Sequence, residues 1–288
     1  MRRIDYFFLG PALLILIVLI LSPFVMMLQQ SFTVRSTYAF ETAGNWVGLA
    51  NYQRLIGDPR FWNSVFVTLT LAGSTVLLQM VIGFGIALLL WKPGPLVDLT
   101  RGLVLIPMVL PPVVVGILWR MFFQPTMPGV NYLLSLVGVA GPDWFGNTWS
   151  ALVAIVLATT WQWTPFVFLL LLAGLQSLPT SPYESARIDG ASAIQRFGYI
   201  TAPLLRRILV FVAIYRLVES FRIFPLVYVL TGGGPGSSTE PVNYYIWIQA
   251  FGAYRLGYAS ALVMASLVLF GLVAGLMIVY GKRSEVIS

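Results

Sequence analysis

The most regular feature of the sequence is an alternation between long apolar stretches without charge and short polar segments. Four long stretches carry no Asp, Glu, Lys or Arg, at residues 6–34, 61–91, 144–183 and 256–281. Each exceeds the ~20 residues that an α-helix needs to cross the hydrocarbon core of a bilayer. The hydropathy of the chain predicts an all-α membrane protein with six membrane-spanning helices, at about 7–28, 64–91, 102–123, 150–175, 208–230 and 259–280.

Basic residues at the ends of these helices predict the orientation. Arg2 and Arg3 precede an apolar run that is too long for a signal peptide and has no A-x-A-like site after it, so we expect a retained helix. With the N-terminus in the cytoplasm, ten Lys and Arg residues fall inside and four outside, the four being Arg35, Arg54, Arg60 and Arg255. Because positive charge accumulates in cytoplasmic loops, we expect both termini inside, residues 176–206 inside and residues 231–258 outside.

Composition supports the membrane assignment and excludes most catalytic chemistry. Hydrophobic residues make up 58% of the 288 residues and charged residues 9%, whereas soluble domains are about a quarter charged. The absence of cysteine and histidine excludes disulfides, His or Cys zinc sites, cysteine nucleophiles and Ser–His–Asp triads. The net charge of +7 fits membrane topology better than nucleic-acid binding. We therefore predict no catalytic residue and no metal site.

The segment between the fourth and fifth predicted spans has two helix-start signals. Ser181 with Glu184, and Ser192 with Gln195, each have the spacing of a capping box, and Pro182 suits a first helical turn. Asp189 and Gly190 then supply a helix stop and a turn. These signals predict two short helices joined at Gly190 on the cytoplasmic face of the membrane.

The same segment resembles the EAA loop of binding-protein-dependent ABC transporter permeases. The pattern E-[AS]-A-x-x-D-G-A begins at Glu184 and is followed by Phe197 and by Thr201-Ala202-Pro203. Ser185 departs from the usual second alanine, but both residues are small. Other stretches resemble the maltose-type branch of the family; they are Phe8 to Leu13, Ser31-Phe32, Asn51-Tyr52, Asp58 to Trp62, Gly129 to Asn131, Trp144-Phe145, Leu230 to Pro235 and Gly257 to Ala261.

This resemblance implies a type I ABC importer permease fold, with residues 1–288 forming one transmembrane domain in a bacterial inner membrane. The EAA loop, about 181–203, would dock on an ATP-binding subunit through Glu184, Ala186, Asp189, Gly190 and Ala191. The implied partners are a second permease subunit, two ATP-binding subunits, an extracytoplasmic solute-binding protein and the lipid bilayer. The chain has no G-x-x-x-x-G-K-[ST] motif, so ATP and Mg²⁺ would be bound by the partners, and this chain would be a non-catalytic subunit without a cofactor.

Ionisable residues at membrane depth are costly and indicate functional positions, and the fifth predicted span has Arg216, Glu219 and Arg222. At about 100° per residue, Tyr215, Glu219 and Arg222 share one face of a helix. Two interpretations remain open for these charges. They line a solute pathway, or they form an ion pair that braces the helix bundle.

Span four places a polar amide among aromatic rings, with Gln162 between Trp161 and Trp163, followed by Phe166. Rings that stack on C–H faces and polar groups that bind hydroxyls are typical of sugar sites. Pro165 removes a backbone hydrogen bond, which spans that line a cavity tolerate. The maltose-type resemblance places pocket positions on Met108, Pro112, Gln162, Trp163, Phe166, Glu219, Ser220 and Ile223.

The sequence therefore indicates one permease subunit of an ABC importer that forms half of a pathway for a sugar or sugar derivative. One alternative keeps the class but changes the solute to an anion or polyol, such as glycerol 3-phosphate or a sulfonated sugar. A second alternative is a proton-coupled secondary transporter that uses Glu219. A membrane enzyme is disfavoured because His and Cys are absent and only one carboxylate lies deep in a span.

Overall fold

The computed structural model describes residues 3–34 and 44–286, which are mostly helical. Arg2 and Arg35, which enter the charge count above, lie outside these ranges. The elements, in chain order, are α1 (Arg3–Ser31), β1 (Thr33–Val34), β2 (Asn45–Trp46), α2 (Ala50–Ile56), α3 (Pro59–Leu89), α4 (Pro95–Val104), α5 (Ile106–Val109), α6 (Pro112–Phe122), α7 (Val130–Leu136), α8 (Thr148–Gln176), α9 (Ser181–Ile188), α10 (Ala193–Arg196), α11 (Ala202–Ser220), α12 (Phe224–Leu230), α13 (Val242–Trp247) and α14 (Leu256–Val286). Two π-helical turns follow α10 and α13, at Phe197–Thr201 and Ile248–Gly252.

Six membrane-spanning segments can be assigned from length and hydropathy within the described residues. Five are single helices, at Leu13–Ser31, Pro59–Leu89, Thr148–Gln176, Ala193–Ser220 and Leu256–Val279. The sixth is span three, in which α4–α5 and α6 form a pair bent by 98°. With this pair counted as one span, the six-helix prediction is confirmed.

The chain divides into two compact units, residues Met1–Trp62 with Val242–Gly271, and residues Asn63–Pro241 with Leu272–Ser288. In the first unit, β1 and β2 pair antiparallel, with Thr33 opposite Trp46. The Asn51 side-chain amide of α2 donates to the Ser31 carbonyl at 2.8 Å and to the Thr33 carbonyl at 3.0 Å, which ties α2 to the end of α1 and to β1. The prediction of one domain over residues 1–288 stays a prediction.

The second unit has its apolar core around α8. One cluster of buried side chains joins α8 to α3, α6 and α12, and includes Leu71, Val115, Ile155 and Val227. Glycine permits the closest approaches, because a Cβ built on Gly174 would lie 2.8 Å from the Ile208 side chain. Small residues at such crossings let membrane helices pack closely.

The helices α6 and α12 pack against each other after breaks in the chain. A Cβ built on Gly116 of α6 would lie 3.1 Å from Cβ of Val229 in α12. The Arg120 guanidinium also donates to the Val229 carbonyl at 2.9 Å. The two short helices are therefore joined by packing and by a hydrogen bond.

The predicted span at 102–123 is present, but it is broken into two helical parts and starts earlier than predicted. It begins at Pro95 and breaks at Leu110 and Pro111, where Leu110 has an extended conformation with φ −71° and ψ 135°. Proline supplies no backbone donor and disfavours a helical conformation in the residue before it, which explains the break before Pro111 and Pro112.

The predicted span at 208–230 is also wrong in its bounds. Span five runs over Ala193–Ser220, and α12 is a separate helix after a turn. Arg206 and Arg207 lower the mean hydropathy in the first half of the observed span. This is why the predicted start, residue 208, lies after them. The predicted short helix that begins after Ser192 is therefore not a separate helix. It corresponds to α10, which continues through the π-helical turn into α11 and so forms the start of span five.

Of the two capping boxes predicted in the cytoplasmic loop, one is confirmed and the other is wrong. Ser192 and Gln195 form the complete capping box that was predicted. The box at Ser181 is wrong, because the cap is Thr180, which has helical dihedral angles and no side-chain cap bond. Helical hydrogen bonding begins one residue early, with the Tyr183 and Glu184 amides donating to the Thr180 carbonyl, so Ser181 lies inside the helix. The turn at Gly190 is confirmed, with φ +74°.

Candidate solute pathway and coupling loop

A cavity of about 270 Å³ lies in the second unit, where spans three and five break. We call it the polar cavity. Pro112 at the start of α6 lines it, as do Ile223 and Pro225 at the start of α12. Both helix breaks contribute irregular backbone there, which a membrane tolerates only where it is buried in protein or lines a cavity.

Gln162 connects span four to the break in span three. It is the central residue of the 29-residue helix α8 and is buried. Its Nε2 donates to the Leu110 carbonyl at 2.9 Å, which satisfies an acceptor released by the helix break. Within residues 3–34 and 44–286, its Oε1 has no hydrogen-bond partner, and neither does the buried Thr159 Oγ1. Both residues line the cavity. Two residues of the cavity wall therefore each keep a buried polar atom that lacks a hydrogen bond in this conformation.

Arg216 is almost fully buried, with 2% of its surface exposed. Its Nε donates to the Gln79 Oε1 at 3.0 Å, and its guanidinium carbon lies 4.7 Å from the centroid of the Trp163 ring. Gln79 in turn donates to the Thr159 carbonyl at 3.3 Å. Sequence reasoning missed Gln79, although an amide in the middle of the charge-free stretch 61–91 was an available signal.

Glu219 and Arg222 form an ion pair, with the Glu219 Oε1 and Arg222 Nη1 atoms 3.7 Å apart. Their side chains are 31% and 80% exposed, so water screens the pair and its contribution to stability is small. Both residues line the polar cavity. The bracing contacts of this region are instead those of Arg216 with Gln79 and Trp163.

Nine residues carry the solute-pathway prediction, the eight of the maltose-type resemblance and Tyr215, and the structure brings six of them together. The six that line the polar cavity are Pro112, Gln162, Trp163, Glu219, Ser220 and Ile223, and Arg216 lines it as well. Phe166 and Tyr215 stack on each other at 5.3 Å but do not line it, and Phe166 supports the Trp163 ring edge-on at 6.5 Å. Met108 is half-buried on α5, also outside the lining.

The loop assigned to ATPase coupling is a compact turn around Gly190. The Ala191 amide donates to the Ala186 carbonyl at 2.9 Å, and the Arg196 guanidinium donates to the Ala191 carbonyl at 2.6 Å. Glu184 and Asp189 are exposed. The Tyr183 hydroxyl lies 2.9 Å from the Thr201 hydroxyl, which ties α9 to the π-helical turn.

Three large apolar side chains on this loop have most of their surface exposed, a feature that sequence reasoning missed. Ile188 and Ile194 are 87% and 83% exposed, and Tyr199 is 83% exposed. Apolar residues inside a capped polar loop were the available signal. Exposed apolar groups on such a loop indicate a surface that contacts either another protein or lipid.

A separate cluster in the first unit surrounds Asp58. The Tyr245 and Tyr258 hydroxyls each donate to the Asp58 Oδ2 at 2.5 Å, and the Arg54 guanidinium lies 4.4 Å from the Tyr258 ring centroid. Burial raises the pKa of Asp58, but these hydrogen bonds and those from the Arg60 and Phe61 amides outweigh it and lower the pKa below 3.8. Among the described residues, no group of three or more acidic side chains is placed to hold a metal ion.

Comparison with known proteins gives matches over most of the chain. The profile of the family described as "Binding-protein-dependent transport system inner membrane component" matches residues 79–283. The trehalose/maltose transport system permease protein MalF of Thermococcus litoralis is 37% identical over 280 residues, which cover 97% of this chain and 93% of that protein. The sulfoquinovosyl glycerol transport system permease protein SmoG of Agrobacterium fabrum is 35% identical over 263 residues, covering 91% and 85%.

A solved structure supports the fold. A bacterial ABC transporter involved in the import of the acidic polysaccharide alginate superposes with a TM-score of 0.82, over 96% of this chain and 94% of that chain. The sequence identity is 21%, so this likeness concerns the fold alone. It confirms the expected ABC importer permease fold.

Proposed function

The chain belongs to the family of binding-protein-dependent transport system inner membrane components, and we propose that it carries a sugar or sugar derivative through the polar cavity. It is a multi-pass permease component of an ABC importer. The observation that carries the proposal is the set of unpaired polar atoms beside an aromatic ring at the breaks of spans three and five.

The chemistry of the cavity suits a hydroxyl-rich solute. The Gln162 Oε1 can accept hydrogen bonds and the Thr159 Oγ1 can donate or accept them, so a side-chain rotation that turns either buried atom toward the cavity would offer it to a sugar hydroxyl. The Trp163 ring, fixed by Phe166 and Arg216, offers a face for the C–H groups of a sugar. The relative named for trehalose and maltose supports this solute class.

Helix breaks at the solute site fit an alternating-access transporter. Discontinuous helices near the bilayer midplane build the solute sites of many transporters and supply unwound backbone to them. A cavity of about 270 Å³ is slightly below the ~300 Å³ at which small-molecule sites usually begin. We therefore propose that a second permease subunit completes the pathway.

The charges of the cavity favour an anionic sugar derivative as the second candidate solute. The lining residues carry two positive charges, on Arg216 and Arg222, and one negative charge, on the carboxylate of Glu219. The Arg222 side chain is 80% exposed, so it can approach a ligand while it remains within 3.7 Å of the Glu219 carboxylate. The relative named for sulfoquinovosyl glycerol supports this alternative.

We propose that the loop around Gly190 couples this subunit to a separate ATPase. Exposed Ile188 and Ile194 provide apolar contact, while Glu184 and Asp189 provide charge for basic residues of a partner. The chain would be non-catalytic, with ATP and Mg²⁺ bound by two ATPase subunits. A solute-binding protein would deliver the solute from the outside.

The proposed solute site is tested with isosteric variants of two neighbouring threonines. Thr159 and Thr160 both have buried, unpaired hydroxyls on α8, but only Thr159 lines the polar cavity. Thr159→Val in the reconstituted importer should reduce uptake of labelled trehalose, maltose or an anionic sugar about fivefold, the loss of one hydrogen bond of ~1 kcal/mol. Thr160→Val is the matched control and should transport normally.

Two outcomes contradict the proposal. If Thr159→Val and Thr160→Val take up every tested solute equally well, the polar cavity is not part of the solute pathway. Uptake driven by a pH gradient in liposomes that contain this chain without an ATPase would instead support the proton-coupled alternative at Glu219.

A further inference from the structure

A second cavity, of about 330 Å³, lies beneath the loop around Gly190. We call it the basic cavity. Its walls carry Lys92 after α3, Arg187 on α9 and Arg196 on α10, and no Asp or Glu side chain lines it. Among the described residues, none of these three cations has a carboxylate within 4.0 Å. From these features we propose that the basic cavity binds the headgroup of an anionic phospholipid.

Three cations around one cavity repel each other unless an anion joins them. The nearby Arg101 differs from them, because it is paired with Asp98 at 2.7 Å and donates to the Leu90 carbonyl. Arg196 is oriented by its bond to the Ala191 carbonyl, and this bond leaves its positive charge uncompensated. A phosphate diester supplies the missing charge and the acceptor oxygens that arginine and lysine bind.

The remaining walls identify the phosphate as part of a lipid. Leu88, Leu175 and Phe197 line the same cavity. Leu88 lies in the last turn of α3 and Leu175 in the last turn of α8, so the cavity lies at the ends of two membrane spans. The charge distribution places this end on the cytoplasmic side, where basic pockets between helices bind anionic headgroups. A cavity with cationic and apolar walls at this level fits a headgroup and the beginning of its acyl chains.

The site also includes the π-helical turn that joins α10 to α11. Phe197 and Thr201, its first and last residues, both line the basic cavity. Single π-helical turns inside α-helices occur frequently at functional sites. A bound lipid would contact α9, α10 and the span ends together, and would hold the loop against the membrane.

The test compares two double variants with the same loss of charge. Lys92→Gln/Arg187→Gln removes two cavity cations, both on exposed side chains, whereas Arg206→Gln/Arg207→Gln removes two exposed cations of α11 that do not line the cavity. The purified full chain is titrated in detergent with dioleoylphosphatidylglycerol or dioleoylphosphatidylcholine, and bound lipid is counted by native mass spectrometry. The cavity variant should bind phosphatidylglycerol about thirtyfold more weakly, at ~1 kcal/mol per basic residue.

The control variant should keep wild-type affinity for phosphatidylglycerol, and phosphatidylcholine should bind all proteins equally and weakly. Equal losses in both double variants would overturn the proposal, because the effect would then be general electrostatics. Displacement of phosphatidylglycerol by an excess of inorganic phosphate would also overturn it, since the ligand would then be a free phosphate. If the cavity variant does not fold, Arg187→Gln alone should show a loss of about fivefold, and wild-type binding by that single variant would overturn the proposal. None of these outcomes depends on the proposed solute pathway.

Discussion

Replacing Trp163 with leucine perturbs a ring that has two roles in the structure. The ring forms part of the polar cavity, and its face lies 4.7 Å from the Arg216 guanidinium carbon. If the ring stacks on the solute, its loss should cost about 0.5–1.5 kcal/mol in transport, or roughly 2- to 13-fold in rate at low solute. The lost cation–π contact should cost about 0.5–2 kcal/mol in stability, while Arg216 keeps its hydrogen bond to Gln79.

Two control variants separate these roles. Trp161→Leu makes the same chemical change two residues away, at a ring that does not line the polar cavity. Gln79→Leu removes the other partner of Arg216 without touching the cavity lining, and should lower complex yield more than transport. Each variant is assayed for complex yield and for ATP-driven uptake per assembled complex. Suppose that Trp163→Leu lowers complex yield as Gln79→Leu does, but that each assembled complex transports at the wild-type rate. This result would refute a contact between the Trp163 ring and the solute, and the ring would then only stabilise Arg216.

Three further outcomes can be measured. Gly190→Arg places a side chain at φ +74° on the loop assigned to coupling, so uptake should be lost while the protein stays inserted; normal uptake with normal ATPase co-purification would contradict this. In this cysteine-free chain, an impermeant thiol reagent on intact cells should label Ala253→Cys but not the equally exposed Ser185→Cys, and the reverse would invert the topology. Asp58→Asn should lower stability by about 1 kcal/mol at pH 7, at the low end for a charged acceptor because the side chain is partly exposed. Because the folded-state pKa of Asp58 is depressed, its contribution exists above the unfolded pKa and is lost as pH falls through the folded value. A wild-type advantage over Asp58→Asn in thermal melts that does not diminish as the pH is lowered would contradict the assignment.

The straight spans were predictable from sequence because hydropathy over ~20 residues is a strong signal. The helix α8, at Thr148–Gln176, lies within three residues of its predicted bounds on each side. The break at Leu110 was less accessible, since prolines at 107, 111 and 112 show where a helix can fail but give neither the angle nor the partner that satisfies the freed carbonyl. That partner, Gln162, lies 52 residues away in sequence.

The candidate site was predicted in part for a related reason. Gln162, Trp163 and Glu219 stood out because polar and aromatic residues in spans are unusual, and all three line the polar cavity. The importance of Gln79 depends on a contact with Arg216 across 137 positions, which helical periodicity within one span cannot reveal. The basic cavity likewise forms only when the ends of α3 and α8 meet the loop around Gly190.

The joint between α6 and α12 has a mechanical consequence. Each short helix follows a break in helical hydrogen bonding, at Leu110 in span three and after Ser220 at the end of span five, and we expect each break to act as a hinge. The Gly116–Val229 contact and the Arg120 hydrogen bond fasten the two helices together beyond those hinges. Because neither can swing without the other, the two hinges share a single degree of freedom, and we expect the polar cavity to open and close as one movement rather than two.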